Sequence, residues 1–356
     1  MKRIIENLQI STLLMAAGIV AGISIRLLLL GQAPLLDSEA TLALQSLSLA
    51  NGKAAELAGY PLYLILTTIL TYLFQPSNFV VRLVPLLAGC AVLVLPLLLG
   101  KNLKAQEKVL LVWLIALEPA LIASSRAAGS DVLTLAAALS FWSAWRSERK
   151  VPGGILLGLF LLSGPGFVVA LVYGGIAWLI SGWNWNADPV ADLRRFLSQK
   201  SVWLGTLITL GLAGSFFMLI PSGWAAIGEG IAGMFAKLFA PSGASSLLVL
   251  LAVLVFSPLV WVFGVWGGIR AWSRRSKFEA ACLSIAVINF LFLLIFPGRS
   301  PLGLAWSSLP LAYLAAREIS DRLGVGREDL IPTGGIALLL AGIVLFIIQL
   351  FGRLVS

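Results

Sequence analysis

Runs of about 20 apolar residues recur from one end of this sequence to the other, and that is the length with which an α-helix crosses a bilayer. Of the 356 residues, 59% are hydrophobic and 12% are charged. Soluble domains carry about 25% charged residues, roughly twice that share. The sequence therefore predicts an all-α polytopic membrane protein.

The composition also excludes several classes of function. The net charge of +9 comes from short basic clusters between apolar runs, which is typical of cytoplasmic loops rather than of nucleic-acid binding. Cys90 and Cys282 both lie inside apolar runs and match no metal-site spacing. The sequence contains no histidine, which removes Ser–His and Cys–His catalysis and every His-ligated metal site. Any catalysis must use carboxylates, Arg, Lys, hydroxyls or the backbone.

The basic clusters determine the orientation that we expect in the plasma (inner) membrane. Lys and Arg accumulate in cytoplasmic loops. All clusters lie on one side only if residues 61–74, an apolar run of about 14 residues, do not cross the bilayer. We therefore expect residues 61–74 to form an interfacial or re-entrant helix on the outer face. The N-terminus is then cytoplasmic and the C-terminus, after residue 352, is extracytoplasmic. The cytoplasmic clusters are residues 101–108, 146–150, 192–200, 270–277 and 317–329.

This orientation predicts one transmembrane domain over residues 1–356, with juxtamembrane helices in the outer loop 31–78 and no soluble domain. The apolar residues of 227–239 have helical spacing, which predicts a further helix on the outer membrane surface. The bundle has about 11 spans, near 9–30, 79–100, 109–123, 132–145, 152–163, 165–182, 201–221, 246–269, 277–296, 301–316 and 332–352.

Acids and cations gather at the outer ends of these predicted spans. Asp37 and Glu39 follow the first span, Arg126 and Asp131 lie in the second outer loop, and Arg299 lies in a late outer turn. Carboxylates accept protons from hydroxyl groups, and Arg binds phosphate in bidentate geometry. This end of the bundle is therefore the expected site.

The order of several segments resembles a known family. They are "DSEATLALQSLSLANG", "GYPLYLIL", "VVRLVPLLAG", "EPALIASSRAAGSDVLTL" and "GLFLLSGPG", followed much later by "GRSPLGLAWSSLPLAYLAA". In this order they resemble the first half of the GT-C glycosyltransferases, in the protein-O-mannosyltransferase and aminoarabinose-transferase branch (glycosyltransferase family 39-like). The resemblance covers roughly residues 9–182 and, more weakly, 290–316.

The resemblance implies a GT-C-like bundle and transfer of a sugar from a polyprenyl-phosphate carrier to a hydroxyl acceptor on the extracytoplasmic face. It implies that Asp37 or Glu39 acts as the base and that Asp131 assists. The lipid phosphate then binds Arg126 and Arg299, and Glu118 is assigned to the same substrate-binding group. The partners are the lipid bilayer and the lipid-linked sugar, with no nucleic acid. Whether a divalent metal takes part is left open.

The acidic motif departs from the family pattern, which has adjacent Asp and Glu before Ala. Here the order is Asp37, Ser38, Glu39, Ala40. Helical residues two apart point about 200° away from each other, so only one acid faces a given site, and the sequence leaves open which. The alternative is a catalytically inactive GT-C-fold subunit that acts as a scaffold with partner subunits in a membrane complex.

Each candidate also has a structural interpretation. Asp37 and Asp131 lie where an acid caps the start of a helix. Glu118 precedes Pro119, which predicts a helix end. Arg299 is placed to act as an interfacial anchor, and Arg26 and Arg82 are expected to snorkel from span ends toward water.

Overall fold

The computed structural model describes residues 2–53, 59–99, 103–185, 189–216, 223–240, 244–274 and 276–322. Over these ranges the regular secondary structure is helical, with no β-strand, which confirms the all-α fold class. The predicted span 332–352 lies outside the described residues. The helices are α1 (Lys2–Leu27), α2 (Asp37–Ala50), α3 (Pro61–Phe74), α4 (Asn78–Leu99), α5 (Ala105–Leu117), α6 (Pro119–Arg126), α7 (Asp131–Arg146), α8 (Lys150–Leu162), α9 (Gly166–Trp185), α10 (Pro189–Leu197), α11 (Lys200–Gly214), α12 (Gly223–Phe239), α13 (Ser246–Phe256), α14 (Pro258–Ser273), α15 (Lys277–Ile295) and α16 (Ala305–Arg322), with a 3₁₀ helix over Pro301–Leu304.

Two described helices are individually long and apolar enough to cross a membrane, in α1 (Ile10–Leu27) and in α15. Three bent pairs raise the number to as many as 5 if each pair is one span: α5 with α6 at 53°, α8 with α9 at 118°, and α13 with α14 at 90°. The expected number of about 11 spans stays a prediction.

Proline and glycine account for these bends. Pro119 and Pro258 are the first residues of α6 and α14, and proline both disfavours helix at the preceding residue and lacks the N–H that a continuing helix needs. The predicted helix end at Glu118 is therefore confirmed, and the predicted spans 109–123 and 246–269 are each interrupted, the first at Glu118 and the second at Ser257. Gly164 turns the chain between α8 and α9 with a φ of +111°, which favours glycine.

The helices expected at the outer face are all present. Residues 61–74 form α3 with the predicted bounds, the helix after Asp37 is α2, and residues 227–239 lie within α12. In α3, Tyr63 and Leu64 are buried in an apolar cluster with Leu42 of α2 and Val81 of α4. The two helices of the predicted outer loop, α2 and α3, are therefore packed onto the bundle.

Contacts between loops and helix ends are found at two ends of the bundle. At the predicted outer end, the first loop contacts the turn between α6 and α7. At the predicted cytoplasmic end, ion pairs join α5, α14 and α16, with Lys104 3.7 Å from Asp321 and Arg270 3.2 Å from Glu318. Side chains from three of the five basic clusters therefore meet at this end, while the common side of all five and the direction of the bundle in the membrane stay predictions.

The orientation is testable by cysteine labelling in a variant that lacks Cys90 and Cys282. Gln32→Cys, in the first outer loop, should react with an impermeant thiol reagent applied to intact cells. Ser147→Cys, in a predicted cytoplasmic loop, should react only after permeabilisation. Both native side chains are exposed, so the reverse pattern of labelling would contradict the orientation rather than reflect burial.

Candidate functional site

Arginines hold the ends of α1 and α5, and one of them is Arg126, the last residue of α6. Arg126 Nη1 donates to the carbonyl groups of Ile25 at 2.9 Å and Leu28 at 2.6 Å. The last carbonyls of a helix have no intrahelical donor and need other partners. Arg26, which is 0% exposed, does the same for α5 by donating to the carbonyls of Ile115 and Ala116, both at 3.2 Å.

Arg82 of α4 organises the chain that follows α1. Its guanidinium donates to the carbonyl groups of Leu30 at 3.1 Å, Ala33 at 2.9 Å and Pro34 at 2.9 Å. Its Nη2 also lies 2.7 Å from Glu39 Oε2 in a buried ion pair. One side chain therefore fixes both the loop and the first turn of α2.

Glu39 joins three segments of the chain. It is 3% exposed, and its Oε2 accepts hydrogen bonds from Arg82 and, at 3.1 Å, from the backbone N–H of Leu36. Its Oε1 accepts from the N–H of Ala128 at 2.6 Å, in the turn between α6 and α7. Burial alone would raise the pKa of Glu39, but the hydrogen bonds from Arg82, Ala128 and Leu36 outweigh it and hold that pKa below its ordinary value of 4.5.

Asp37 and Asp131 are the exposed acids of this region. Each is the first residue of its helix, α2 and α7 respectively, and both side chains are exposed. The bond from Ala128 to Glu39 brings the starts of these helices together, because Asp37 lies two residues before Glu39 and Asp131 three residues after Ala128. The starts of α2 and α7, which carry these two exposed acids, are therefore linked by the contacts of Glu39, hereafter the Glu39 joint.

Arg299 belongs to a second group of polar contacts. Its Nε donates to the carbonyl of Phe296 at 2.9 Å, and its Nη1 donates to the hydroxyl of Ser246, the first residue of α13, at 2.6 Å. The following 3₁₀ helix is held by Asn289, whose Nδ2 donates to the carbonyl of Gly303 at 3.0 Å. The described contacts of Arg299 do not reach the first outer loop.

Glu118 lies inside the bundle, between α5 and α6. It is 2% exposed, and its Oε1 accepts hydrogen bonds from the hydroxyls of Ser257 at 2.6 Å and Ser308 at 2.8 Å. Ser257 lies at the break between α13 and α14, and Ser308 lies in the first turn of α16. Its assignment to substrate binding stays a prediction.

The sequence did not predict that Arg26 and Arg82 bind backbone carbonyls inside the protein. Arg26 and Arg82 do not snorkel; both are buried and donate to backbone carbonyls. An arginine in an apolar run costs about 3 kcal/mol or more unless it has partners. That cost was the indication in the sequence that these two arginines would have hydrogen-bond partners. The roles of Ser246, Ser257 and Asn289 had no such signal, because polar residues of this size are common in membrane helices.

Across the described ranges, no group of three or more Asp, Glu or Cys side chains could hold a metal ion.

The fold and the apolar helices together define the class. The chain is an integral membrane protein with a GT-C-like fold, as the order of its motifs predicted. No protein-family model and no curated protein match the sequence.

Solved structures establish that fold. ArnT from Cupriavidus metallidurans bound to undecaprenyl phosphate matches with a TM-score of 0.61 and 15% identity over 87% of this chain and 60% of that chain. The apo oligosaccharyltransferase of Archaeoglobus fulgidus matches with a TM-score of 0.60 and 17% identity over 93% of this chain and 54% of that chain. The archaeal oligosaccharyltransferase AglB from Archaeoglobus fulgidus, in complex with an inhibitory peptide and a dolichol-phosphate, matches with a TM-score of 0.57 and 16% identity over 95% of this chain and 54% of that chain. This chain therefore spans at most 60% of these proteins.

The buried pair should control stability. Arg82→Ala or Glu39→Ala should lower the free energy of unfolding by about 3–5 kcal/mol, because each leaves a buried charge without its partner. The matched control, Asp37→Ala, removes an exposed acid from the same helix turn and should cost about 0.3–1 kcal/mol. Thermal unfolding in detergent measures all three. Equal losses for Asp37→Ala and Glu39→Ala would contradict the structural role of Glu39.

The same contacts predict a pH dependence. The folded-state pKa of Glu39 is depressed, so its contribution to stability is complete above the ordinary carboxyl pKa and is lost as the pH falls through the lower folded value. The difference in melting temperature between the wild type and Glu39→Gln should therefore be constant above pH 4.5 and shrink below it. A difference that persists unchanged at more acidic pH would mean that the carboxylate charge is not responsible.

Proposed function

We propose that this protein is a membrane glycosyltransferase that transfers a sugar from a polyprenyl-phosphate carrier to a hydroxyl acceptor on the extracytoplasmic face. The observation that supports the proposal is the Glu39 joint, which links the start of α2, where Asp37 is exposed, to the turn before Asp131 in a GT-C-like bundle. The ArnT and AglB structures contain undecaprenyl phosphate and a dolichol-phosphate respectively, which supports this class of donor.

The contacts favour Asp37 as the acid that accepts the proton. Glu39 is engaged by three donors and is buried, so a substrate hydroxyl would have to displace them. Asp37 is exposed at the start of the same helix. Asp131, at the start of α7, would orient the acceptor or assist.

Arg126 and Arg299 have guanidinium donors that can bind the departing phosphate. The described hydrogen bonds of Arg126 all use Nη1, and those of Arg299 use Nε and Nη1. Within the described contacts, Nη2 of each guanidinium therefore retains its donors for a phosphate oxygen.

These groups account for the bonds formed and broken, and for the proton released, in the proposed reaction. The acceptor oxygen forms a bond to the anomeric carbon while the bond from that carbon to the phosphate oxygen breaks. The phosphate keeps the electron pair, and the carboxylate takes the acceptor's proton. Charge that develops on the leaving phosphate is stabilised by the fixed guanidinium groups.

One observation favours the second candidate, a catalytically inactive GT-C-fold subunit. Arg26, Arg82 and Arg126 all donate to backbone carbonyls at helix ends or loops. In a scaffold, this set of charges would serve the fold alone, and partner subunits would cover the outer face.

Substitutions separate the two candidates. Asp37→Asn and Asp131→Asn should reduce sugar transfer from polyprenyl-phosphate donors. Arg299→Ala should reduce turnover by about 10²–10³-fold, because one preorganised charge-stabilising donor is lost. Arg126→Ala should do the same, with a stability loss as well, since it removes the donor to the end of α1.

Arg194→Ala is the matched control, because Arg194 is an exposed arginine in α10 and should leave turnover unchanged. The assay uses purified protein in nanodiscs with a panel of donors. A wild type that transfers nothing from any donor and co-purifies stoichiometrically with other membrane subunits would reject the enzyme in favour of the scaffold.

A further inference from the structure

Two broken helices meet at Glu118. The chain bends by 53° between α5 and α6 and by 90° between α13 and α14. Glu118 occupies the first break and Ser257 the second, and the serine hydroxyl donates to the carboxylate at 2.6 Å. Ser308 of α16 donates to the same oxygen at 2.8 Å. One buried oxygen atom thus joins three segments that are distant in sequence.

Each of these segments leads to a candidate site residue. α6 ends at Arg126 and is followed by the turn to Asp131. α13 begins at Ser246, which accepts a hydrogen bond from Arg299. Ser308 lies nine residues after Arg299, and the 3₁₀ helix between them is held by Asn289. The described contacts of Arg299 do not reach the first outer loop, so its position relative to Arg126 depends on how these segments are held.

We infer that Glu118 is a positioning residue that fixes α6 against α13 and the segment 299–308, and so holds Arg126 and Arg299 at one spacing. The inference rests on the proposed function for its effect on turnover, while its effect on geometry is independent of that function.

The physical reason lies in the two breaks. Where proline interrupts the backbone hydrogen bonds, the angle between the two helical pieces is no longer set by the helix itself. Side-chain hydrogen bonds across the break can then determine it. Buried polar groups in membranes are costly, and they persist where they make such connections. Glu118 accepts both hydrogen bonds through Oε1. Its positioning role therefore depends on hydrogen-bond acceptance rather than on charge.

Two substitutions of Glu118 separate hydrogen-bond acceptance from charge. Glu118→Gln keeps an oxygen acceptor for both hydroxyls, whereas Glu118→Leu removes it at similar volume. Glu107→Leu is the matched control, because Glu107 is also a buried carboxylate of α5 but lies at the opposite end of that helix, away from both breaks. Its loss should leave the spacing of the outer segments unchanged.

The geometric readout is the distance between spin labels in a variant that lacks Cys90 and Cys282. The labels are placed at Ala123 in α6 and Leu247 in α13, both of which are exposed. The parent protein, Glu118→Gln and Glu107→Leu should give one narrow distance distribution. Glu118→Leu should give a broadened or displaced one.

The functional readout is kcat per folded molecule in unlabelled protein. Glu118→Leu should lower kcat by about 10–100-fold, because small misplacements of catalytic groups have large effects, and Glu118→Gln should restore it. Unchanged label distances in Glu118→Leu would overturn the inference. Loss of activity in Glu118→Gln with unchanged distances would also overturn it, since the charge would then act directly. A parent protein without transfer activity, together with broadening confined to Glu118→Leu, would reject the proposed function and retain the geometric role.

Discussion

The predicted outer end of this protein depends on the carboxylate of Glu39. Three donors from three parts of the chain converge on it: the N–H of Leu36, the guanidinium of Arg82 and the N–H of Ala128. Without this group, the first outer loop and the turn between α6 and α7 would lose a direct connection. Leaving Arg82 buried and unpaired would cost more than the pair itself contributes. The starts of the two helices that carry the exposed acids are connected through this carboxylate.

The contacts of Glu39 also explain why Asp37 and Glu39 have different roles. Residues two apart on a helix face different directions, and the structure places Glu39 in the interior and Asp37 in an exposed position. Glu39 is therefore committed to the fold, while Asp37 remains accessible for chemistry. In the scaffold alternative, partner subunits cover the accessible acids and the remaining guanidinium donors, which then bind no substrate.

The sequence predicted the elements better than their contacts. Apolar runs and prolines were sufficient to predict the bounds of α3 and the helix end at Glu118, because both follow from local physics. The partners of Arg82 and Glu118 were not predictable, since they come from residues 43 and 190 positions away and depend on which helices are neighbours. The snorkelling expected of Arg26 and Arg82 failed for the same reason: neighbouring helix ends supplied carbonyl acceptors in the interior. A single sequence also gave no indication that Ser257 would meet Glu118.

The most direct test is a cryo-electron microscopy structure of the protein in nanodiscs with undecaprenyl phosphate. Lipid density is expected at the predicted outer end, with the phosphate within hydrogen-bonding distance of Arg126 or Arg299 and facing Asp37 or Asp131. Lipid phosphate bound elsewhere, or an outer face that excludes the lipid while a partner subunit covers these four residues, would contradict it.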